Sequence, residues 1–131
     1  MAPADNSRKR ITQGYKNSKL QAPIRRTQIN LQHSRAATDN IMKLTEQDNT
    51  DIVFIQEPYL YQNRIAGIIK SHRKYISLDD KCRAAIIITN NEIDAVLIKQ
   101  LSSPDSVFLE RRYSNTRFFA ASMYFDIKKE I

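Results

Sequence analysis

The stretch that most constrains the fold is residues 27–58, because its pattern changes from strand to helix and back to strand. Apolar and polar residues alternate over 27–32, which is the period of a half-buried strand. Ser34 can cap a helix whose apolar residues then recur at helical spacing. Residues 51–56 are a nearly continuous apolar run rich in β-branched residues, which is typical of a strand covered on both faces, and Pro58 ends it. The stretch therefore predicts a right-handed βαβ unit with two parallel strands.

Two polar residues stand where these strands end. Asn30 lies near the end of the first strand, and Glu57 comes just after the second. Open sheets bind ligands beyond the carboxyl ends of their strands, and these two strands end at the same edge. A carboxylate there suits Mg²⁺, which prefers oxygen ligands and keeps several waters. The alternative is that Glu57 merely ends a strand in solvent and Asn30 satisfies a turn, and the spacing alone does not separate the two.

The rest of the body predicts antiparallel strands, so the fold class is α/β. Residues 58–73 are expected to form a loop, and the apolar run 83–89 a central strand that returns as a hairpin through a turn at 90–92. The charged end of the strand over 107–113, which includes Arg111, is expected to run out into solvent. The other strands are expected at residues 74–78, 93–100 and 117–125. Cys82 is the only cysteine, so no internal disulfide forms.

The net charge of +7 is concentrated at the amino terminus. Residues 1–26 hold seven basic residues against one acid, which leaves the remaining residues 27–131 close to neutral. We expect a disordered arm that docks on nucleic acid phosphates, serves as a nuclear address, or is a solvated tail without a partner. No apolar segment suits a secretory signal or a membrane span. The candidate nucleic-acid-binding residues are Arg8, Lys9, Arg10, Arg25 and Arg26 of the arm, and Arg64 of the 58–73 loop.

The segments QINLQHSRAATDN and DIVFIQEPYLYQNR resemble the start of the endonuclease domain of insect non-LTR retrotransposons. That domain belongs to the endonuclease/exonuclease/phosphatase superfamily and is similar to apurinic-site endonucleases. The segments RAAIIITN and ASMYFD extend the resemblance, which runs from about Arg26 to the last residue. It implies that residues 27–131 are the amino-terminal half of a deoxyribonuclease I-like domain, which is a partial four-layer α/β sandwich.

The resemblance also implies an activity. Such a domain nicks target DNA in the nucleus by Mg²⁺-dependent phosphodiester hydrolysis, and the nick primes reverse transcription; Mn²⁺ is the substitute metal. Carried onto this sequence, the metal-binding residue is Glu57. Asn30 is a catalytic residue that positions the site, and Tyr124 is a catalytic residue that lies by the phosphate.

One departure from the family pattern concerns catalysis. Family members continue into an Asp-x-Asn motif and a Ser-Asp-His motif, and this sequence contains neither. We therefore expect the chain to be inactive alone. Half of the fold would leave an apolar sheet face uncovered, so we expect marginal stability, a homodimer, or pairing with the carboxy-terminal half of the domain. The alternative function is a non-catalytic remnant that binds nucleic acid through its arm or associates with itself.

Overall fold

The computed structural model describes residues 23–77 and 81–125. Within these ranges the chain forms one α-helix, nine strands and a short 3₁₀ turn. In chain order these are β1 (Arg26–Asn30), α1 (Arg35–Gln47), β2 (Ile52–Gln56), β3 (Leu60–Tyr61), β4 (Arg64–Ile65), β5 (Arg73–Tyr75), β6 (Ala84–Ile88), β7 (Asp94–Leu97), the 3₁₀ turn Lys99–Leu101, β8 (Ser106–Tyr113) and β9 (Thr116–Met123).

The βαβ unit forms as the sequence predicts. β1 and β2 are parallel neighbours, with Arg26 opposite Ile52 and Asn30 opposite Gln56. Between them α1 begins after Ser34, whose hydroxyl accepts a hydrogen bond from the backbone N–H of Ala37 at 3.0 Å. That bond satisfies one of the amides that the first helical turn leaves unpaired.

Two sheets pack face to face, with the helix on the outer side of one of them. The first sheet has the strand order β1-β2-β6-β5, and the second sheet has the order β7-β8-β9. All five residues of β6 are buried, because alternate side chains enter different cores. Ala85 and Ile87 pack toward α1, whereas Ala84, Ile86 and Ile88 pack toward the second sheet. The described residues thus form three layers: a helix, a sheet and a sheet.

The predicted hairpin between residues 83–89 and 93–100 is wrong. β6 is hydrogen-bonded to β2 on one side and to β5 on the other, so it has no free edge for a further strand. The turn at 90–92 instead carries the chain to the second sheet, where β7 pairs with β8. The loop predicted for residues 58–73 also contains a small hairpin, formed by β3 and β4.

The charged end of β8 does not run out into solvent as predicted. Val107, Leu109 and Arg111 share the face of β8 that points toward the first sheet, and Arg111 is only 4% exposed. Its guanidinium lies over the ring of Phe118, with 5.1 Å between its central carbon and the ring centroid. The strand therefore carries a buried cation at the position where its sequence becomes charged.

Large apolar side chains are exposed on the second sheet. Val96, Phe119 and Met123 are all exposed, and the strand register places the first two on either side of Glu110. This arrangement agrees with the expectation that half of the fold leaves a sheet face uncovered. No helix in the described residues is long and apolar enough to cross a membrane.

Candidate active site

The parallel pairing of β1 and β2 brings Asn30 and Glu57 together. Both strands end at the same edge of the first sheet, which we call the carboxyl edge. There the amide Nδ2 of Asn30 donates a hydrogen bond to Oε2 of Glu57 at 3.3 Å. Its Oδ1 accepts a bond from the backbone N–H of Gln32 at 2.8 Å, which fixes the amide as a local turn begins. The Asn30 side chain thus satisfies a turn and contacts the carboxylate at once.

The backbone of Glu57 adopts an uncommon conformation, with φ at 50°. Left-handed backbone is costly for a residue with a side chain, by about 1–3 kcal/mol, and persists only where the surroundings impose it. Here the N–H of Glu57 donates to the carbonyl of Arg83 at 2.9 Å, and the carbonyl of Glu57 accepts from the N–H of His33 at 2.9 Å. Both backbone bonds of Glu57 are made, so the carboxylate is presented from a fixed backbone.

His33 is a third polar side chain at the carboxyl edge, and it is not among the site residues predicted from the sequence. Its Nδ1 lies 3.0 Å from the carbonyl oxygen of Pro58, which can only accept, so Nδ1 carries a proton and donates. Its Nε2 lies 3.7 Å from Oε1 of Glu57. A signal was present in the sequence, because His33 lies in the turn that follows β1 and such turns sit at the carboxyl edge.

The end of β9 is tied to the end of β2, and this places Tyr124 near the carboxyl edge. The hydroxyl of Ser122 donates to the carbonyl of Ile55 at 2.9 Å and accepts from Nε2 of Gln56 at 3.2 Å. Tyr124 follows two residues later, and its backbone N–H donates to the carbonyl of Asp105 at 2.8 Å. Its role beside a phosphate remains a prediction.

The candidate nucleic-acid-binding residues do not gather at one place. Arg64 is exposed on the β3–β4 hairpin, which follows Glu57 in the chain. Arg25 and Arg26 are exposed at the opposite end of β1, where Arg26 is four residues before Asn30, or about 13 Å along the strand. The remaining candidates, Arg8, Lys9 and Arg10, lie outside the described residues. Two parts of the proposed basic surface therefore stand at opposite ends of the first sheet.

The donors at the carboxyl edge suit a hard cation with few protein ligands. The Glu57 side chain is 23% exposed, and among the described residues only its Oε2 accepts a hydrogen bond; Asn30 adds an amide oxygen, which accepts from Gln32. Mg²⁺ is held in proteins through one or two carboxylates, with water and substrate phosphate filling the other positions. The described residues contain no cluster of three or more His, Cys, Asp or Glu side chains able to enclose a metal. The donors at this edge therefore fit an open Mg²⁺ site of this kind.

Comparison with solved structures finds a similar domain. The chain is similar to the "Endonuclease domain of TRAS1, a telomere-specific non-LTR retrotransposon", with a TM-score of 0.71 and 25% sequence identity. The aligned region covers 82% of this chain and 47% of that chain, so this chain spans about half the length of its structural neighbour. No protein-family model and no curated protein matches the sequence. The resemblance seen in the sequence is confirmed: the chain has an α/β fold that corresponds to about half of the endonuclease domain of a non-LTR retrotransposon.

Proposed function

We propose that this chain is the amino-terminal half of a retrotransposon endonuclease domain that nicks target DNA by Mg²⁺-dependent phosphodiester hydrolysis. The observation that carries the proposal is the contact between Asn30 and Glu57 at the carboxyl edge of a fold similar to such a domain. DNA is then the substrate, the nick primes reverse transcription, and the nucleus is the site of action.

The two residues have distinct tasks in this proposal. The Glu57 carboxylate would hold Mg²⁺, which when bound stabilises negative charge on the phosphate and on the leaving oxygen. Asn30 holds that carboxylate through its 3.3 Å hydrogen bond and so limits its rotation. Tyr124 would place its hydroxyl by the phosphate. The water-activating group and the opposing histidine of the family are absent from this sequence, so the chain alone should not turn over DNA.

Metal titration of the 131-residue chain tests the first step. Mn²⁺ binding followed by electron paramagnetic resonance should show a site that weakens on the order of tenfold or more in Glu57→Gln, and less in Asn30→Ala. The matched control is Glu92→Gln, which makes the same change at an exposed carboxylate in the turn after β6, at the other end of the first sheet. Equal binding by wild type and Glu57→Gln would contradict the metal assignment.

The catalytic part of the proposal is tested by sequencing the transcript. Sequencing past the codon for Ile131 should reveal the Asp-x-Asn and Ser-Asp-His motifs, in the same frame or after one frameshift. The encoded protein should then nick supercoiled plasmid only with Mg²⁺, and Glu57→Gln should abolish nicking. A transcript that encodes neither motif would remove catalysis from the proposal.

A second candidate function is a remnant that binds nucleic acid without catalysis or associates with itself. The basic residues before Thr27 favour the first form, and the exposed Val96 and Phe119 of the second sheet favour the second. DNA binding that falls steeply with salt would support the first form. Salt-insensitive self-association in sedimentation equilibrium would support the second.

A further inference from the structure

We propose that Arg83 is a positioning residue that holds Tyr124 in place relative to Glu57. This proposal rests on the proposed function above, which assigns Glu57 and Tyr124 their roles. Arg83 was not a candidate in the sequence, where it simply precedes the apolar run of β6.

The side chain of Arg83 makes two kinds of contact at once. Its Nε lies 2.6 Å from Oδ1 of Asp105, and its Nη2 lies 2.7 Å from Oδ2, so the pair is bidentate. The guanidinium also lies over the ring of Tyr124, with 4.8 Å from its central carbon to the ring centroid. Asp105 therefore orients the guanidinium and holds it over the ring.

The backbone of Arg83 joins the same segments. Its carbonyl accepts the hydrogen bond from the N–H of Glu57 at 2.9 Å, and its N–H donates to the carbonyl of Pro104 at 2.6 Å. Tyr124 in turn donates to the carbonyl of Asp105 at 2.8 Å. One residue thus contacts the end of β2, the loop before β8 and the residue that follows β9.

The position of Arg83 in the fold makes these contacts stiff. It directly precedes β6, whose five residues are buried and paired on both sides. A shift of Arg83 would therefore disturb the central strand. Lysine would not replace it, because an ammonium group carries the charge but lacks the planar fork that binds a carboxylate through two nitrogens and stacks on a ring.

Terbium luminescence measures the arrangement without any enzymatic activity. The chain contains no tryptophan, so Tb³⁺ emission excited through protein chromophores comes from tyrosine. The emission lost in Tyr124→Phe defines the Tyr124 component, and loss of Tb³⁺ binding in Glu57→Gln locates the ion. Arg83→Lys should lose most of the Tyr124 component while its Tb³⁺ affinity stays at the wild-type value. Asp105→Asn should change the emission in the same direction.

The matched control is Arg117→Lys. Arg117 also forms an ion pair on the second sheet, with 3.3 Å between its Nη1 and Oε2 of Glu110, and it is exposed. Its replacement should leave both the emission and the Tb³⁺ affinity unchanged. If Arg83→Lys does not fold, Asp105→Asn carries the test, because it keeps Arg83 and weakens only the pair that orients it.

A second readout needs no metal. In a sample with ¹³C-labelled tyrosine rings, the Tyr124 resonance is assigned by its absence in Tyr124→Phe. It should shift in Arg83→Lys and stay in place in Arg117→Lys. The positioning role would be overturned if Arg83→Lys folds and is only less stable, while the Tyr124 resonance and the Tb³⁺ emission both stay unchanged. If Glu57→Gln leaves Tb³⁺ binding intact, the metal assignment fails, and the resonance alone decides whether Arg83 holds the ring.

Discussion

Replacing Arg111 with methionine should make the chain more stable. The side chain lies between the two sheets, and its Nε and Nη1 atoms are buried without a hydrogen-bond partner among the described residues. Burial lowers the pKa of Arg111 below its ordinary value, and the positive charge of Arg26 lowers it further. Both effects show that the fold disfavours the charged form, and no carboxylate among the described residues compensates for it.

The gain in the free energy of unfolding can be estimated from the unpaired donors and the ring contact that the substitution removes. Each buried donor left without a partner costs about 1–3 kcal/mol, and Arg111 has two of them. The variant also loses the cation–π contact with Phe118, which costs about 0.5–2 kcal/mol and offsets part of the gain. Methionine keeps an apolar stem like that of arginine. The net gain in the free energy of unfolding is on the order of 2 kcal/mol, since buried charges replaced by apolar groups often stabilise by about 1–4 kcal/mol.

The pH dependence of this gain has a definite sign. Because the pKa of Arg111 is lower in the folded chain than in the unfolded chain, the unfolded chain binds that proton more tightly. The free energy of unfolding of the wild type therefore rises with pH only in the alkaline interval between the two pKa values. Below that interval the cost of burying the charged guanidinium is constant. The difference in stability between Arg111→Met and wild type should be constant around neutral pH and should narrow only in that alkaline interval.

Thermal unfolding followed by circular dichroism measures the effect, and Arg112→Met is its control. Arg112 is the next residue of β8, is exposed, and loses the same charge on substitution. In a domain of this size about 1 kcal/mol moves the melting temperature by roughly 4 °C, so the expected difference is easily resolved. A melting temperature of Arg111→Met at or below that of Arg112→Met would refute the reasoning.

Three further predictions concern the helix, the inter-sheet contact and the arm. Ser34→Ala should lower the free energy of unfolding by about 1 kcal/mol in urea titrations, because a helix cap is lost; no change would mean that the cap bond is not formed in solution. Ser122→Ala should cost about 1–3 kcal/mol, because the buried carbonyl of Ile55 loses its donor; a loss equal to that of an exposed serine would contradict this. Deleting residues 1–22 removes five basic residues and one acid, so the salt dependence of DNA binding should weaken by a log–log slope of up to about 4, with Mn²⁺ binding unchanged. An unchanged slope would exclude the arm from DNA binding.

The βαβ unit could be predicted because its signals are local. Ser34 is a favourable cap, the apolar residues of α1 repeat at helical spacing, and residues 52–55 are apolar throughout. From these signals the parallel pairing of β1 and β2 follows without knowledge of the rest of the chain, because a helix between two strands is the crossover connection that joins parallel neighbours. The convergence of Asn30 and Glu57 is a consequence of that topology.

The pairing of β7 could not be predicted, because it depends on which edges other strands occupy. The run of β6 shows that the strand is buried, but not that β2 and β5 already pair with both of its sides.

The burial of Arg111 is different, because the sequence contains a signal for it. Val107, Leu109 and Arg111 follow the two-residue period of a strand, so the inward face of β8 continues to the arginine. The charge at the end of β8 therefore does not place Arg111 in solvent, because the period of the strand places it inside.

At the carboxyl edge, the backbone of Glu57 is held by contacts between described residues. Leu31 donates from its backbone to the carbonyl of Gln56 at 2.9 Å, which continues the pairing of β1 and β2 past their last residues. Glu57 is then held by the backbones of His33 and Arg83, each at 2.9 Å. Since none of these bonds needs polypeptide beyond the described residues, the Glu57 carboxylate, which we propose binds the metal, should already be in place in the 131-residue chain. Under the proposed function, metal binding and DNA cleavage are therefore separable: we expect the first in this chain, whereas the second requires the motifs that it lacks.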